Sequence, residues 1–286
     1  MRIIRTIDEI RAAVAEARAA AATDHTVALV PTMGAFHAGH LSLMRQARAA
    51  SDLVVVSLFV NPTQFGQNED LGAYPRDEAR DAALAEAEGV DILFAPEPAE
   101  IYPDGFATTI HVAGITEVLC GATRGAHHFD GVATVVTKLF GMVEPDVAYF
   151  GQKDAQQILV VRRVVRDLNL DVRIIASPIV REPDGLAMSS RNVYLDEDAR
   201  RRATALNRGL DAASALAGAG ERDAMTLVGA VRRMLAHVDI EPEYVELRDL
   251  TDLSPVPRLD GEALLAVAAR VGGARLIDNH ILKASS

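Results

Sequence analysis

The chain has 286 residues, 49% of them hydrophobic and 24% charged, which is the composition of a soluble globular protein with room for one large domain or a larger and a smaller one. Its 29 Lys plus Arg stand against 40 Asp plus Glu, and a net charge of −11 argues against a nucleic-acid partner while leaving room for a small anion held by local groups. A single cysteine, Cys120, excludes an intrachain disulfide and points to a reducing, cytoplasmic compartment; the first residues, MRIIRTIDEIR, lack the continuous apolar run expected of a signal peptide, and no apolar run reaches the roughly 20 residues of a membrane helix.

In chain order, the opening segment is predicted helical, with Thr6 and Glu9 as a capping box and Ile7, Ile10 and Val14 on one face. Val27 to Pro31 is predicted as a buried strand followed by a tight loop, then a helix from Leu41 to Ala50 and a strand from Leu53 to Phe59. The alternation continues with a helix over 76–88, a strand over 92–95, a strand candidate over 108–112 and a helix over 131–142. A strand over 147–150, a helix over 155–168 and a strand over 172–176 follow. Continuous apolar strands alternating with amphipathic helices predict an α/β fold, a doubly wound Rossmann-like parallel sheet covered on both faces. Such sheets bind ligands at the carboxyl ends of their strands, so the loops at Pro31–His40, Asn61–Gly66 and Gly151–Asp154 are the places to look.

The pattern changes after about residue 177. Helices over 196–216 and 223–237 precede strands over 244–248, 263–269 and 274–278, with Gly272-Gly273 as a hairpin turn. The domains expected are residues 1–177, which hold the parallel sheet, and residues 178–286, a smaller α+β C-terminal domain.

Two constellations carry chemistry. Pro31-Thr-Met-Gly-Ala-Phe-His37-Ala-Gly-His40 lies between a strand and a helix, where helix-terminal N–H groups and the dipole favour an anion. Neutral imidazoles at His37 and His40 could donate hydrogen bonds to a phosphate in a transition state. A zinc pair is the alternative, with no Cys or third His nearby in sequence. Met188-Ser-Ser-Arg191 supplies two hydroxyls and a guanidinium suited to triphosphate oxygens.

This pairing of HxGH with a late Met-Ser-Ser-Arg resembles the nucleotidylyltransferase superfamily. Class I tRNA synthetases carry a related late motif, but here Ala187 stands where their lysine would precede it. Phe59-Val-Asn-Pro-Thr-Gln-Phe-Gly66, Gly151-Gln-Lys-Asp-Ala-Gln-Gln157 and Asp184-Gly-Leu-Ala-Met-Ser-Ser-Arg-Asn192 narrow the resemblance to the pantoate–β-alanine ligase family, from Pro31 to Asn279. The resemblance implies a ligase that forms pantoyl-adenylate from ATP and (R)-pantoate, then passes the acyl group to β-alanine to give pantothenate, AMP and pyrophosphate.

It implies ATP binding by Met33, Gly34, Ala35, Phe36, His37, Ala38, Gly39 and His40, by Gly151, Gln152, Lys153 and Asp154, and by Val180, Met188, Ser189, Ser190 and Arg191. His40 matches the family's proton donor, although a neutral imidazole donating to a phosphate fits the same place. Gln64 and Gln157 match pantoate positions, Gln64 also serves β-alanine, and Asn61 is a natural third contact. Lys153 is expected nearest the reacting phosphate, and Asp154 is a candidate Mg²⁺ ligand. His37, His40, Lys153, Ser189, Ser190 and Arg191 are therefore the expected catalytic set, and a homodimer the implied assembly.

Two departures stand out. Arg124-Gly-Ala-His-His-Phe129 lacks the family's proline and is one residue longer, so His127 and His128 receive no role; Gln152 stands where many relatives have Glu. Another nucleotidylyltransferase, or a nucleotide-binding regulator without turnover, would share part of this pattern.

Overall fold

Runs of Val, Leu and Ile without polar alternation set the first sheet. In the computed structural model, which describes residues 1–21, 25–66 and 71–284, its strands are β1 (Arg2–Ile4), β2 (Val27–Thr32), β3 (Leu53–Leu58), β4 (Ile92–Phe94), β5 (Val147–Gly151) and β6 (Arg173–Ser177). They lie in the order β1-β4-β3-β2-β5-β6, every pair parallel. β2, β3, β4 and β5 are buried along almost their whole length, as a parallel sheet covered by helices requires. The chain moves outward from β2 to β3 and β4, then returns to place β5 and β6 on the other side of β2. The winding therefore reverses between β2 and β5, and ligands bind outside the carboxyl ends of strands at such a reversal.

Between these strands run α1 (Ile7–Ala20), α2 (Ala38–Ala50), α3 (Glu78–Ala87), the short α4 (Pro98–Ile101) and α5 (Cys120–Arg124), α6 (Ala126–Val143) and α7 (Ala155–Asp167). The capping box expected at Thr6 and Glu9 is present at the start of α1. Then come α8 (Glu197–Ala203), α9 (Ala205–Gly218) and α10 (Ala224–Ala236). The antiparallel sheet β7 (Pro242–Arg248), β8 (Glu262–Val271) and β9 (Ala274–Lys283) completes the fold. Among the described residues no helix is long and apolar enough to cross a membrane.

The chain divides into two compact units. Met1–Ala113, Arg124–Gly151 and Val160–Pro178 form the first; Gly114–Thr123, Gln152–Leu159 and Ile179–Ser286 form the second. In the first, Phe36, Met44, Val30, Val54, Val56 and Leu93 belong to one buried cluster, so the loop after β2 is pinned to the core by its own Phe36. In the second, Leu206, Leu210, Leu227 and Val231 from the helices pack with Leu265 and Val267 of β8.

The expected elements are present with informative shifts. The opening segment begins with β1, three residues on the sheet edge, too short for any periodicity to reveal. Residues 108–112 form no strand, and Ile110 N–H donates to Thr134 Oγ1 rather than to a ladder. α2 starts at Ala38 instead of Leu41 because a histidine caps it. α6 begins at Ala126, following Gly125 at φ +88°. The helix expected over 196–216 is two helices meeting at Thr204. The Gly272-Gly273 turn joins Val271 to its partner Ala274; Gly272 has φ +55°, and a Cβ there would sit 2.9 Å from Ala199 Cβ.

Candidate active site

In the first unit, β2 ends and the chain turns through Gly34 (φ +89°) and Ala35 (φ +52°) before His37 enters α2 in an extended conformation as its N-cap. His37 Nδ1 accepts from Gly39 N–H at 3.2 Å, and His40 Nδ1 accepts from His37 N–H at 3.4 Å. The rings stack with centroids 4.1 Å apart and planes 27° apart. An imidazole nitrogen that accepts cannot carry the proton, so both rings are Nε2–H tautomers. Two helix-capping side chains are thus neutral donors at the positive end of a helix. Such a pair hydrogen-bonds an anion without repelling itself.

The turn itself is held by a residue sequence reading missed. Asp81 of α3, 1% exposed, accepts Ala35 N–H and Phe36 N–H, each at 2.8 Å. Those two amides, within the stretch expected to bind ATP, are therefore already engaged by a protein carboxylate. Burial pushes the Asp81 carboxyl up from its usual range, against the two amide bonds and Arg80, which pull it down.

The loop after β3 is organised around Asn61, 1% exposed. Its Nδ2 donates to Gln64 Oε1 at 3.0 Å and to Gly131 O at 3.1 Å, while Oδ1 accepts from Thr63 Oγ1 at 2.9 Å and Tyr102 Oη at 2.7 Å. Both amide hydrogens are spent inside the protein, so Asn61 holds Gln64 and has none left for a substrate. Gln64 Nε2 reaches Met33 Sδ at 3.2 Å. Gly131 of α6 allows this packing: a Cβ there would meet Thr63 O at 2.6 Å and Gln64 N at 2.7 Å.

His128 finds its place here. It is buried, Nδ1 lies 2.9 Å from Gln64 O, and Nε2 lies 2.9 Å from Arg124 Nη1. A carbonyl only accepts and a guanidinium only donates, so His128 is a neutral Nδ1–H tautomer, opposite to His37 and His40. It ties α6 to the backbone of Gln64.

In the second unit, Gln152–Asp154 form one 3₁₀ turn. Lys153 Nζ sits 3.1 Å from the Asp154 carboxylate, and their side chains are 21% and 44% exposed. A half-exposed pair of this kind contributes little, so a phosphate can draw the ammonium away. Asn279 of β9, 3% exposed, donates through Nδ2 to the carbonyls of Gln152 and Lys153, both at 3.0 Å. The adjacent glutamines diverge. Gln156 is buried, donating to Ile115 O and Val118 O at 2.8 and 2.7 Å and accepting from Cys120 N–H at 2.9 Å. Gln157 is half-buried, and its amide makes no hydrogen bond among the described residues.

The serine–arginine segment also belongs to this unit. Val180 to Met188 fold back as a small hairpin: Met188 N–H donates to Val180 O at 3.0 Å, and Gly185 turns it at φ +90°. Arg181 forms a two-pronged bond to Asp278 of β9, at 2.6 and 3.0 Å. Ser189 Oγ then caps a 3₁₀ turn by accepting Arg191 N–H at 3.2 Å, with Ser189, Ser190 and Arg191 all half-buried. Asp278 and Asn279, neighbours on one strand, thus anchor both polar loops of the unit.

The zinc alternative finds no support in this geometry. Both Nδ1 atoms are engaged by backbone amides, and no group of three or more His, Cys, Asp or Glu among the described residues could hold a metal.

Residues 2–281 match the family model described as pantoate-beta-alanine ligase. The chain belongs to the pantoate-β-alanine ligase family. A pantothenate synthetase from Roseiflexus castenholzii is 55% identical over 285 residues, covering 99% of this chain and 100% of that protein. The crystal structure of pantothenate synthetase from Thermus thermophilus aligns with a TM-score of 0.91 at 46% identity, covering 98% of this chain and 99% of that one. A pantoate-β-alanine ligase from Francisella tularensis, solved in complex with β-γ ATP and β-alanine, aligns with a TM-score of 0.80 at 31% identity, covering 98% and 97%. The family's sheet is thus the doubly wound one expected, with a three-stranded antiparallel sheet in the C-terminal part.

Within this ligase-family chain, the anchoring residues were the ones hidden from sequence reading. Asp81, Asn279 and the Arg181–Asp278 pair each lie far along the chain from the loop they hold, with no local motif around them, whereas Gln156 sits inside the Gly151–Gln157 motif but holds residues 115–120. Two adjacent glutamines were the nearest thing to a signal, and the structure separates their tasks.

Proposed function

We propose that the residues described above carry out ATP-dependent condensation of (R)-pantoate with β-alanine. A pantoate carboxylate oxygen attacks the α-phosphorus of ATP, the bond to the bridging oxygen breaks, and pyrophosphate leaves. The neutral amine of β-alanine then attacks the acyl carbon of pantoyl-adenylate, AMP leaves, and the surplus proton passes to solvent. The observation that carries the reading is the capped, stacked imidazole pair at the start of α2 in a chain that matches the ligase family over residues 2–281.

His37 and His40 donate from Nε2 to phosphate oxygens as charge builds on the α-phosphorus. Because both rings are neutral, His40 serves as a hydrogen-bond donor and no net proton transfer is required of it. Lys153 and Arg191 offset the repulsion between carboxylate and triphosphate, and Ser189 and Ser190 bind triphosphate oxygens. Backbone and side-chain atoms of Met33–His40, Gly151–Asp154, Val180 and Met188 complete the nucleotide contacts. Gln64 and Gln157 hold pantoate, and Gln64 also faces β-alanine. An amide can donate to the carboxylate and accept from a hydroxyl without adding charge. Asn61 acts one step back, by orienting Gln64.

Mg²⁺ fits as the nucleotide's counter-ion, supplying charge neutralisation on the phosphates. A single carboxylate, Asp154, suits a hard cation that keeps water and phosphate oxygens for most of its shell. Residues 1–177 are taken as the nucleotide- and pantoate-binding part and residues 178–286 as the smaller C-terminal part; the working form is a cytoplasmic homodimer. Incubation with ATP, (R)-pantoate and β-alanine should yield AMP and pantothenate in equal amounts. A nucleotide conjugate without free AMP would favour a nucleotidylyltransferase instead.

A further inference from the structure

One buried ionisable group that the reaction does not use touches the catalytic loop directly. Asp81 projects from α3 (Glu78–Ala87) onto the turn between β2 and α2. That turn is costly on its own: Gly34 and Ala35 both take positive φ, and Ala35 is not a glycine. Successive residues of this kind point their N–H groups into a concavity that binds anions. Here the anion is built in, since Ala35 and Phe36 N–H both end on Asp81. The next residue is His37, whose extended conformation and ring position cap α2 and seat His40.

We propose that Asp81 is the positioning residue of the imidazole pair: its carboxylate clamps the Gly34–Phe36 turn so that His37 and His40 present Nε2–H together. The inference rests on the ligase reading above. The clamp needs two acceptor oxygens, one for each amide. An asparagine replaces one acceptor with an NH2 donor that meets an N–H head-on, and protonation of the carboxyl removes its charge and leaves the hydroxyl oxygen a much weaker acceptor. The turn must then shift, and His37 moves with it.

The environment makes this clamp responsive to pH. The charged groups facing Asp81 are Arg80 and Asp77 of its own helix segment; the turn packed against it contributes none. Arg80 holds Phe36 O at 3.2 Å and lies 3.7 Å from Asp81, so it closes the same turn from the outside. Burial raises the carboxyl's pKa, so the folded protein takes up this proton at a higher pH than the unfolded chain does. Protonation in that window therefore does not weaken the fold; it releases the turn.

Asp81→Asn in the full-length enzyme tests this, with Ala85→Gly as the comparison, a buried change on the same helix that leaves the Asp81 carboxylate and its bonds to Ala35 and Phe36 N–H in place. Pyrophosphate release from ATP and pantoate is measured across pH, alongside thermal unfolding. A displacement of the histidines by an ångström predicts kcat lower by about 100-fold in Asp81→Asn at neutral pH. The ratio of variant to wild-type rate should rise towards one as pH falls, because the wild type then loses its own carboxylate. Ala85→Gly should lose stability and keep kcat. An unchanged kcat in Asp81→Asn, or a ratio constant with pH, overturns the proposal. NMR of the imidazole nitrogens reads the same question without turnover: both rings Nε2–H in the wild type, mixed tautomers in the variant. Identical tautomers in the two proteins would also overturn it. Failure of the ligase reading is distinct, for then the wild type itself releases no pyrophosphate with pantoate.

Discussion

At the scale of single residues, the site depends on side chains whose hydrogen-bonding capacity is spent before any ligand arrives. His40 Nδ1 is committed to the backbone amide of His37, so the ring's proton is on Nε2, the atom to which the proposed reaction gives the phosphate. Replacing His40 by Ala should lower adenylate formation by about 10²–10³-fold, the usual loss for one preorganised donor, with little change in unfolding temperature. Isotope exchange between pyrophosphate and ATP in the presence of pantoate measures it. Gln64→Ala should raise the KM for pantoate more than that for ATP, and steady-state kinetics with each substrate varied will separate the two. Gly131→Ala forces a methyl into the backbone of Thr63 and Gln64, so it should cost about 1–3 kcal/mol of stability as an overpacked contact. It should raise the pantoate KM as well, because the displaced backbone is that of Gln64.

At the scale of elements, β9 is the anchor of the second unit's polar loops. Asp278 grips Arg181 at the base of the hairpin leading to Ser189, and Asn279 grips the turn that carries Lys153. Asp278→Ala leaves the Arg181 guanidinium, only 22% exposed, without its counter-charge, with Gly185 O and His280 Nε2 as its remaining neighbours. A loss of about 3 kcal/mol is expected, the lower end of what removing one member of a buried pair costs. Urea unfolding measures it. Asn279→Ala should cost about 1–3 kcal/mol in the same urea unfolding, since the carbonyls of Gln152 and Lys153 lose their donors, and should weaken adenylate formation as measured by pyrophosphate exchange. α2 illustrates how an element's boundary follows from the site. Its apolar face is periodic from Leu41 onward, but the helix starts at Ala38 because two imidazoles supply the caps that Ser or Asp usually provide.

At the scale of the molecule, the lone thiol reports on the integrity of the second unit. Cys120 is buried, with Tyr244 Oη 3.1 Å from its sulfur and Arg275 at 3.6 Å. It should react with a thiol reagent only as fast as the protein opens, and denaturant should release it in step with loss of activity. The assembly is tested by sedimentation: a homodimer predicts twice the chain mass, independent of nucleotide.

The sequence by itself determined the alternation of strands and helices, because a buried parallel strand must be continuously apolar and an amphipathic helix must repeat at about 3.6 residues. It also determined the polar motifs, which are contiguous: His37 to His40, Gln64, Lys153 to Gln157 and Ser189 to Arg191 all sit on loops or element ends. β1 escaped because three residues have no period, and 108–112 misled because β-branched residues fit an extended segment without a ladder. Only the tertiary structure decided which polar groups face outward and which are consumed in holding others. Asp81 and Ala35 are brought together by packing of α3 beside the sheet, and Asn279 meets Lys153 across 126 residues of chain. Such pairs arise from closure of the core, and no local propensity encodes them.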